Sequence, residues 1–311
     1  MMHPTDQRTP ILVTGAHRTG TTWVGKMLAA GGQAAYISEP LNLWHRPGVL
    51  SAPVGNWYTY ICAENEGQYL PAFHQLFVYH YHILDEIRSI KSRKDAMRMG
   101  RDWRIFFLGR LRNQRPLLKD PFAVFSAPWF ADRLGCRVVV TVRHPAAFVS
   151  SLKRLDWPFD FQDLLSQPLL MRDLLEPYRA EMKSIAPGDL IGQGSLLWKM
   201  IYQTMSGFCK QHPGFILVRH EDYSRTPLES FRSLYAMLGL QFTHSAEKEI
   251  MRSSSSQNPA ELSKSSVHAY KLDSRAGLER WKRRLSREEI DRIASLTGEV
   301  AARYYPEVDW G

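Results

Sequence analysis

Short apolar runs alternate with amphipathic stretches along most of this chain. Residues 10–14 (Pro-Ile-Leu-Val-Thr) form one such run, the right length for a buried strand and too short for a helix. Gly15 to Gly20 is rich in turn formers. Thr21 to Ala30 then carries apolar residues at helical spacing until Gly31-Gly32 stops it. Residues 34–37 predict a second strand. Leu117-Leu118-Lys119 predicts another, ended by Asp120-Pro121, with a helix over Phe122–Leu134 behind it. The β-branched run Arg137–Val142 predicts the clearest strand, and a helix follows over 145–154. Phe215–Val218 predicts a further strand, and Thr226–Leu238 an amphipathic helix with Gly239 as its stop. This alternation predicts an α/β fold: a single domain over 1–311 with a central parallel sheet flanked by helices.

Other stretches are less regular. Residues 41–100 show no clean period but are rich in rings, among them Trp44, Trp57, Tyr58, Tyr60, Tyr69, Phe73, Tyr79 and Tyr81. Such rings either fill a core or line a pocket for sugars or phenols. Residues 160–210 carry helical periodicity broken at Pro187-Gly188 and Gly192-Gln193-Gly194, which predicts a helical insert over about 155–210. Residues 252–266 are Ser-rich, so they form either a linker or a loop that orders over a ligand. Residues 268–311 predict a basic helical C-terminal segment. No internal repeat is present.

Composition adds two constraints. The formal net charge of +9 suits an anionic ligand as well as a plain basic surface. The three cysteines, Cys62, Cys136 and Cys209, lie far apart, which fits neither a zinc knuckle nor a disulfide framework. His45, His74, His80, His82 and His144 share no ligand spacing, so no metal site is expected. The polar start and the brief apolar run after it predict no signal peptide and no membrane span, hence a cytoplasmic protein.

The strongest chemical signal is Gly15-Ala16-His17-Arg18-Thr19-Gly20-Thr21-Thr22-Trp23, set between a predicted strand and a predicted helix. Glycines there let several backbone N–H groups converge on an anion, and the helix adds its positive end. The spacing is that of the nucleotide-binding P-loop G-x-x-x-x-G-K-[ST], but Thr21 stands where that motif has Lys. An ATPase or kinase would lack the cation that reaches its terminal phosphates. The cation here is Arg18.

This stretch resembles the 5′-phosphosulfate loop of sulfotransferases that use 3′-phosphoadenosine 5′-phosphosulfate (PAPS), closest to their carbohydrate and bacterial branch. The resemblance implies a fold of the P-loop-containing nucleotide-binding type. It implies that Arg18, Thr19, Gly20, Thr21 and Thr22 hold the 5′-phosphate and sulfuryl oxygens, and that Trp23 flanks the adenine. His17 departs from the family's Pro. A second stretch, Val140 to Ser151, resembles the family's 3′-phosphate motif, with Arg143 and Ser151 at matching spacing. Looser likenesses place His220 against the adenine, and Lys271 or Arg275 over the 3′-phosphate. In the same family many carbohydrate enzymes carry their base in a Glu-Pro segment, which Ser38-Glu39-Pro40 matches.

The expected activity is therefore in-line transfer of a sulfuryl group from PAPS to an acceptor hydroxyl of a carbohydrate, glycolipid or small molecule, without a metal. Glu39 is the expected base and Arg18 the charge stabiliser, with Lys119 and Asp120 as secondary site candidates. The other readings are a P-loop small-molecule kinase and a non-enzymatic polyanion-binding protein. The expected partners are a nucleotide donor and an acceptor rather than nucleic acid, and the acceptor's identity and the oligomeric state stay open.

Overall fold

Each apolar run read as a strand is a strand. The computed structural model describes residues 9–44, 46–261 and 270–311. Its strands are β1 (Ile11–Gly15), β2 (Ala34–Ser38), β3 (Arg115–Lys119), β4 (Arg137–Val142) and β5 (Ile216–Arg219). They form one fully parallel sheet in the order β2-β3-β1-β4-β5. Parallel sheets are covered on both faces, which is why the strands read as continuous apolar runs. Alternate residues feed two cores: Leu12, Leu118 and Val140 enter one, while Val13, Leu117 and Val139 enter the other.

From β1 the chain steps to one side for β2 and β3 and to the other for β4 and β5. The reversal at β1 opens a crevice at the carboxyl end of the sheet. Helix α1 (Thr21–Ala29) follows β1 directly.

The ring-rich stretch holds more helix than its pattern suggests: α2 (Leu70–Phe77), α3 (Ile83–Ser89) and α4 (Arg93–Leu111). Helix α4 starts at Ser92, whose hydroxyl accepts the Asp95 N–H at 3.2 Å. Only Asp102, Phe106 and Gly109 of it are buried, a stripe too narrow to stand out among its arginines. The segment read as a helix over Phe122–Leu134 opens as a 3₁₀ turn, Pro121–Ser126, before α5 (Ala127–Leu134). Helix α6 (Pro145–Leu155) follows β4, and the short α7 (Gln162–Leu165), α8 (Pro168–Leu170) and α9 (Arg179–Ser184) come next.

Helix α10 (Leu190–Gln211) runs through Gly192-Gln193-Gly194 without the expected break. Asp189 caps it, accepting from the Gly192 N–H at 2.9 Å. At Gly194 a Cβ would sit 3.2 Å from Val149 and 3.3 Å from Leu152, so the glycine serves close packing on α6. The chain ends with α11 (His220–Arg225), α12 (Pro227–Leu238), α13 (His244–Ser254), α14 (Arg280–Arg284) and α15 (Arg287–Ala301). The Ser-rich stretch begins as the last turn of α13, and its residues 262–266 lie outside the described residues. No helix among the described residues is long and apolar enough to cross a membrane.

Helix α10 also fixes the crevice. The fully buried Tyr202 hydroxyl donates to the Thr141 carbonyl at 2.7 Å and accepts the Ala16 N–H at 3.3 Å. Tyr202→Phe strands both groups away from water and should lower stability by about 1–3 kcal/mol in denaturant titrations. A loss within error of zero would show that the pin carries no weight.

Candidate functional site

Because all five strands run the same way, their carboxyl ends share one edge. Gly15, Ser38, Lys119, Val142 and Arg219 end the strands there, and the residues after them line the crevice. At Gly15 the backbone takes φ 133°, and a side chain would run into the Thr141 carbonyl. Only glycine fits both conditions. Gly20 opens α1 at φ 96°, with the His220 ring pressed against it. The free N–H groups of the first helical turn then head the crevice.

One cavity at this point is lined by Arg18, Gly20, Thr21, Thr22, Trp23 and His220, with Ser253 and Tyr270 on its far side. The Trp23 indole donates to Ser253 Oγ at 2.9 Å and meets the His220 ring edge-on at 5.9 Å. Burial, with Arg143 nearby, draws the His220 imidazole down to about 3, so it is neutral at physiological pH. Thr19 turns the other way. Its hydroxyl donates to the Ala16 carbonyl at 2.5 Å and meets Thr141 Oγ1 at 2.7 Å beneath the loop. The structure thus gives the Thr19 side chain to the loop's shape rather than to the cavity. His17 is likewise spent on packing: its Nδ1 meets the Tyr58 hydroxyl at 2.7 Å, and its ring lies edge-on to Phe148.

Beside this cavity five arginines converge: Arg18, Arg143, Arg154, Arg280 and Arg284 line one recess with Ser150, Ser151 and Gly277. Arg18 Nε donates to Ser151 Oγ at 3.4 Å, and Arg284 donates to Ser150 Oγ at 3.1 Å. Arg143 donates to the Arg18 carbonyl at 3.3 Å, while its own carbonyl accepts the Trp198 indole N–H at 2.9 Å. Glu261 faces the cluster, 3.1 Å from Arg154 and 2.5 Å from Arg284. Even so, Nε of Arg143 and one terminal nitrogen of Arg280 are buried without a hydrogen-bond partner among the described residues. A buried N–H of a cation left unpaired is costly, and in a recess of five arginines it suits an anion. Burial, with Arg143 and Arg154 close by, brings Arg18 down to about 10, so it stays a cation at neutral pH.

A third cavity, of about 470 Å³, meets the first at Thr22, which lines both. Glu39 sits in its wall at φ 51°, just past β2. Its carboxylate accepts from Lys119 Nζ and, at 2.7 Å, from Asn42 Nδ2. Burial alone would pull Lys119 down, but the facing Tyr36 and Glu39 outweigh it and hold the ammonium above its usual value. Asp120 points away into the core. It accepts from the Leu41 N–H at 2.6 Å and the Phe122 N–H at 3.0 Å, so it caps the following turn, and burial raises it to about 7. Among the described residues no group of three His, Cys, Asp or Glu could hold a metal ion.

The Sulfotransferase family model matches residues 10–244. The chain belongs to the sulfotransferase family. Among solved structures it is similar to the sulfotransferase domain from the curacin biosynthetic pathway, at 15% identity and TM-score 0.47 over 92% of this chain and 96% of that one. It is also similar to the sulfotransferase domain of the Synechococcus PCC 7002 olefin synthase, at 13% identity and TM-score 0.46 over 99% and 100%. The mouse sulfotransferase SULT7A1 complexed with PAP matches at 13% identity and TM-score 0.44 over 96% and 88%. No curated protein sequence matches this chain.

In this sulfotransferase most residues singled out from the sequence do meet at the crevice: Arg18, Gly20, Thr21, Thr22, Trp23, Arg143 and His220 line one cavity. Ser151 joins them in the arginine recess, and Glu39 lies one cavity away. Two residues singled out in the C-terminal segment lie outside the recess. Arg275 is exposed and donates to the Arg225 carbonyl at 3.1 Å, outside the recess. Lys271 lies close enough to Lys26 to repel its charge rather than with the arginine cluster. The cations that reach the recess are Arg280 and Arg284, four apart on α14 and so on one helical face. Trp281 between them is buried and stacked on His144 at 5.0 Å, which pins that helix down. The i, i+4 arginines flanking a Trp were the legible signal, and Arg154, one turn past Ser151 on α6, was another. Glu221 and Asp222 are structural: Glu221 accepts from the His144 N–H and the Tyr305 hydroxyl, and Asp222 pairs with Arg219.

Proposed function

We propose that this sulfotransferase takes its sulfuryl group from PAPS and passes it to a hydroxyl held in the Glu39 cavity. The observation that carries the reading is the recess of five arginines beside the P-loop cavity, with two buried guanidinium nitrogens unpaired among the described residues. A 3′-phosphate dianion matches that charge and those donors, and ATP has no group for it. Arg143, Arg280 and Ser151 are the residues that hold it. The adenine lies in the cavity against Trp23 and the neutral His220. The 5′-phosphosulfate meets the N-terminus of α1, the Thr21 and Thr22 hydroxyls and Arg18.

The chemistry balances as follows. The acceptor oxygen forms a bond to sulfur as the sulfur–oxygen bond to the 5′-phosphate breaks, and Glu39 takes the hydroxyl proton. Charge gathers on the leaving phosphate, where Arg18 and the helix N-terminus stand. Lys119 and Asn42 aim the Glu39 carboxylate, and the shared wall at Thr22 joins the two substrates' cavities.

A kinase reading predicts preference for ADP with Mg²⁺. Adenosine 3′,5′-bisphosphate (PAP) at about a hundred times its dissociation constant should stabilise the fold by about 2.7 kcal/mol, a thermal shift of several degrees. ADP with Mg²⁺ and AMP at the same concentration should give far smaller shifts. Equal shifts from PAP and AMP would remove the 3′-phosphate site from the proposal.

A further inference from the structure

The Glu39 cavity is unusual in its charge. Four cations, Lys26, Arg46, Arg98 and Arg101, line it against two carboxylates, Glu39 and Asp102. The carboxylates are already spent. Glu39 is taken by Lys119, and Asp102 by Arg46 at 2.5 Å. Arg98 is held by Asp95 at the start of α4. Among the described residues Arg101 reaches only the occupied Asp102, at 3.3 Å, with its side chain 60% exposed. Lys26 has no carboxylate within ion-pair distance among the described residues. Its ammonium rests over the Tyr270 ring at 4.1 Å. It stands one helical turn after Thr22, on the wall between donor and acceptor cavities.

A neutral hydroxyl acceptor gives such a pair of cations nothing to do. Burial, with Lys119, Arg101 and Lys271 nearby, lowers the Lys26 amine from its usual value against the pull of Glu249, and an incoming anion would offset that repulsion. At the rim, Trp44 is 77% exposed and braced edge-on against Trp57 at 5.5 Å. An exposed indole face of this kind suits the C–H face of a sugar ring.

The geometry points to an acidic saccharide as the acceptor: a sugar bearing a carboxylate or phosphate that Lys26 and Arg101 hold, with its ring against Trp44 and its reacting hydroxyl at Glu39. This assignment rests on the sulfotransfer reading of the same site. Lys26 and Arg101 are then specificity-determining residues. Arg101 offers the planar fork that a carboxylate or phosphate accepts, and Lys26 supplies a compact charge deeper in the wall.

The test is calorimetric binding to the protein–PAP complex of three probes: methyl β-glucuronide, glucose 6-phosphate and methyl β-glucoside. PAP fills the arginine recess, so a sugar phosphate cannot report that site instead. At least one acidic probe should bind tenfold or more tighter than the neutral glucoside, and which of the two leads tells uronate from phosphate. The advantage should shrink with added salt and should fall severalfold in Lys26→Gln and in Arg101→Gln, while the PAP-induced thermal shift persists in both. Acidic probes that bind no better than the glucoside, or an advantage that both substitutions leave intact, would overturn the assignment with the donor site still standing. Absence of PAP binding in the wild type would instead sink the sulfotransfer reading beneath it.

Discussion

Arg143→Ala is expected to weaken PAP binding by roughly a hundredfold and to leave AMP binding nearly as it was. The two nucleotides differ only in the 3′-phosphate. Arg143 lines the recess where that phosphate belongs, and its Nε is buried without a hydrogen-bond partner among the described residues. A charge-assisted hydrogen bond to a buried anion is worth about 1.5–3 kcal/mol, and 2.8 kcal/mol corresponds to about a hundredfold. The strand end does not depend on the side chain, because the Arg143 carbonyl stays fixed by the Trp198 indole. Without nucleotide the guanidinium is a burden. Burial and the neighbouring Arg280 and Arg284 push it toward the neutral form, against the pull of Glu221 and Tyr305. A melting curve of the ligand-free variant shows whether relief of that repulsion offsets the lost hydrogen bond to the Arg18 carbonyl. Dissociation constants for both nucleotides and one melting curve decide the matter. An equal loss for PAP and AMP would mean that Arg143 acts by bracing the Arg18 carbonyl, not by reading the 3′-phosphate.

How much of this could be read in the sequence follows from what kind of order each part uses. The five strands and the P-loop depend on contiguous residues: an apolar run of four to six, then glycines at fixed spacing. Those signals survive in one dimension. Helix α4 was hidden because its buried stripe is three residues among many arginines, and its packing partner is the remote strand β2. Gly192-Gln193-Gly194 was misleading for a similar reason. The glycine that looks like a break in the chain is an allowance for α6, which only the folded state reveals. At the site, residues fixed by loop geometry (Arg18, Gly20, Thr21, Thr22) were legible. The arginine recess as a whole was not, since it is assembled from the P-loop, the residue after β4, α6 and α14, and only the Arg280–Arg284 spacing around Trp281 hinted at its last part. The surplus of Lys26 and Arg101 is also a three-dimensional fact, because it depends on which carboxylates are already paired.

Glu39→Gln should lower kcat by roughly 10²–10⁴-fold, the usual worth of a positioned general base, while PAP binding stays at the wild-type level. The argument is geometric. Glu39 follows the end of β2, which opens onto the cavity next to the donor, and its left-handed backbone turn at φ 51° carries its side chain into that wall. The amide keeps the shape and can still accept from Lys119, but it cannot take a proton. A loss confined to kcat, with the acceptor KM near wild type, marks an interaction made only in the transition state. The ion pair with the buried Lys119 complicates the measurement, because removing the negative charge leaves that ammonium uncompensated. Lower thermal stability in the variant is therefore expected. Rates should be normalised to the fraction of protein that binds PAP. Glu39→Asp separates the two effects: it keeps the charge for Lys119 and withdraws the carboxylate from the acceptor. If position rather than charge balance is what matters, the Asp variant recovers stability and remains slow. Near-normal turnover in Glu39→Gln, measured on PAP-binding protein, would remove Glu39 as the base and leave it as the anchor that holds Lys119 at the edge of the cavity.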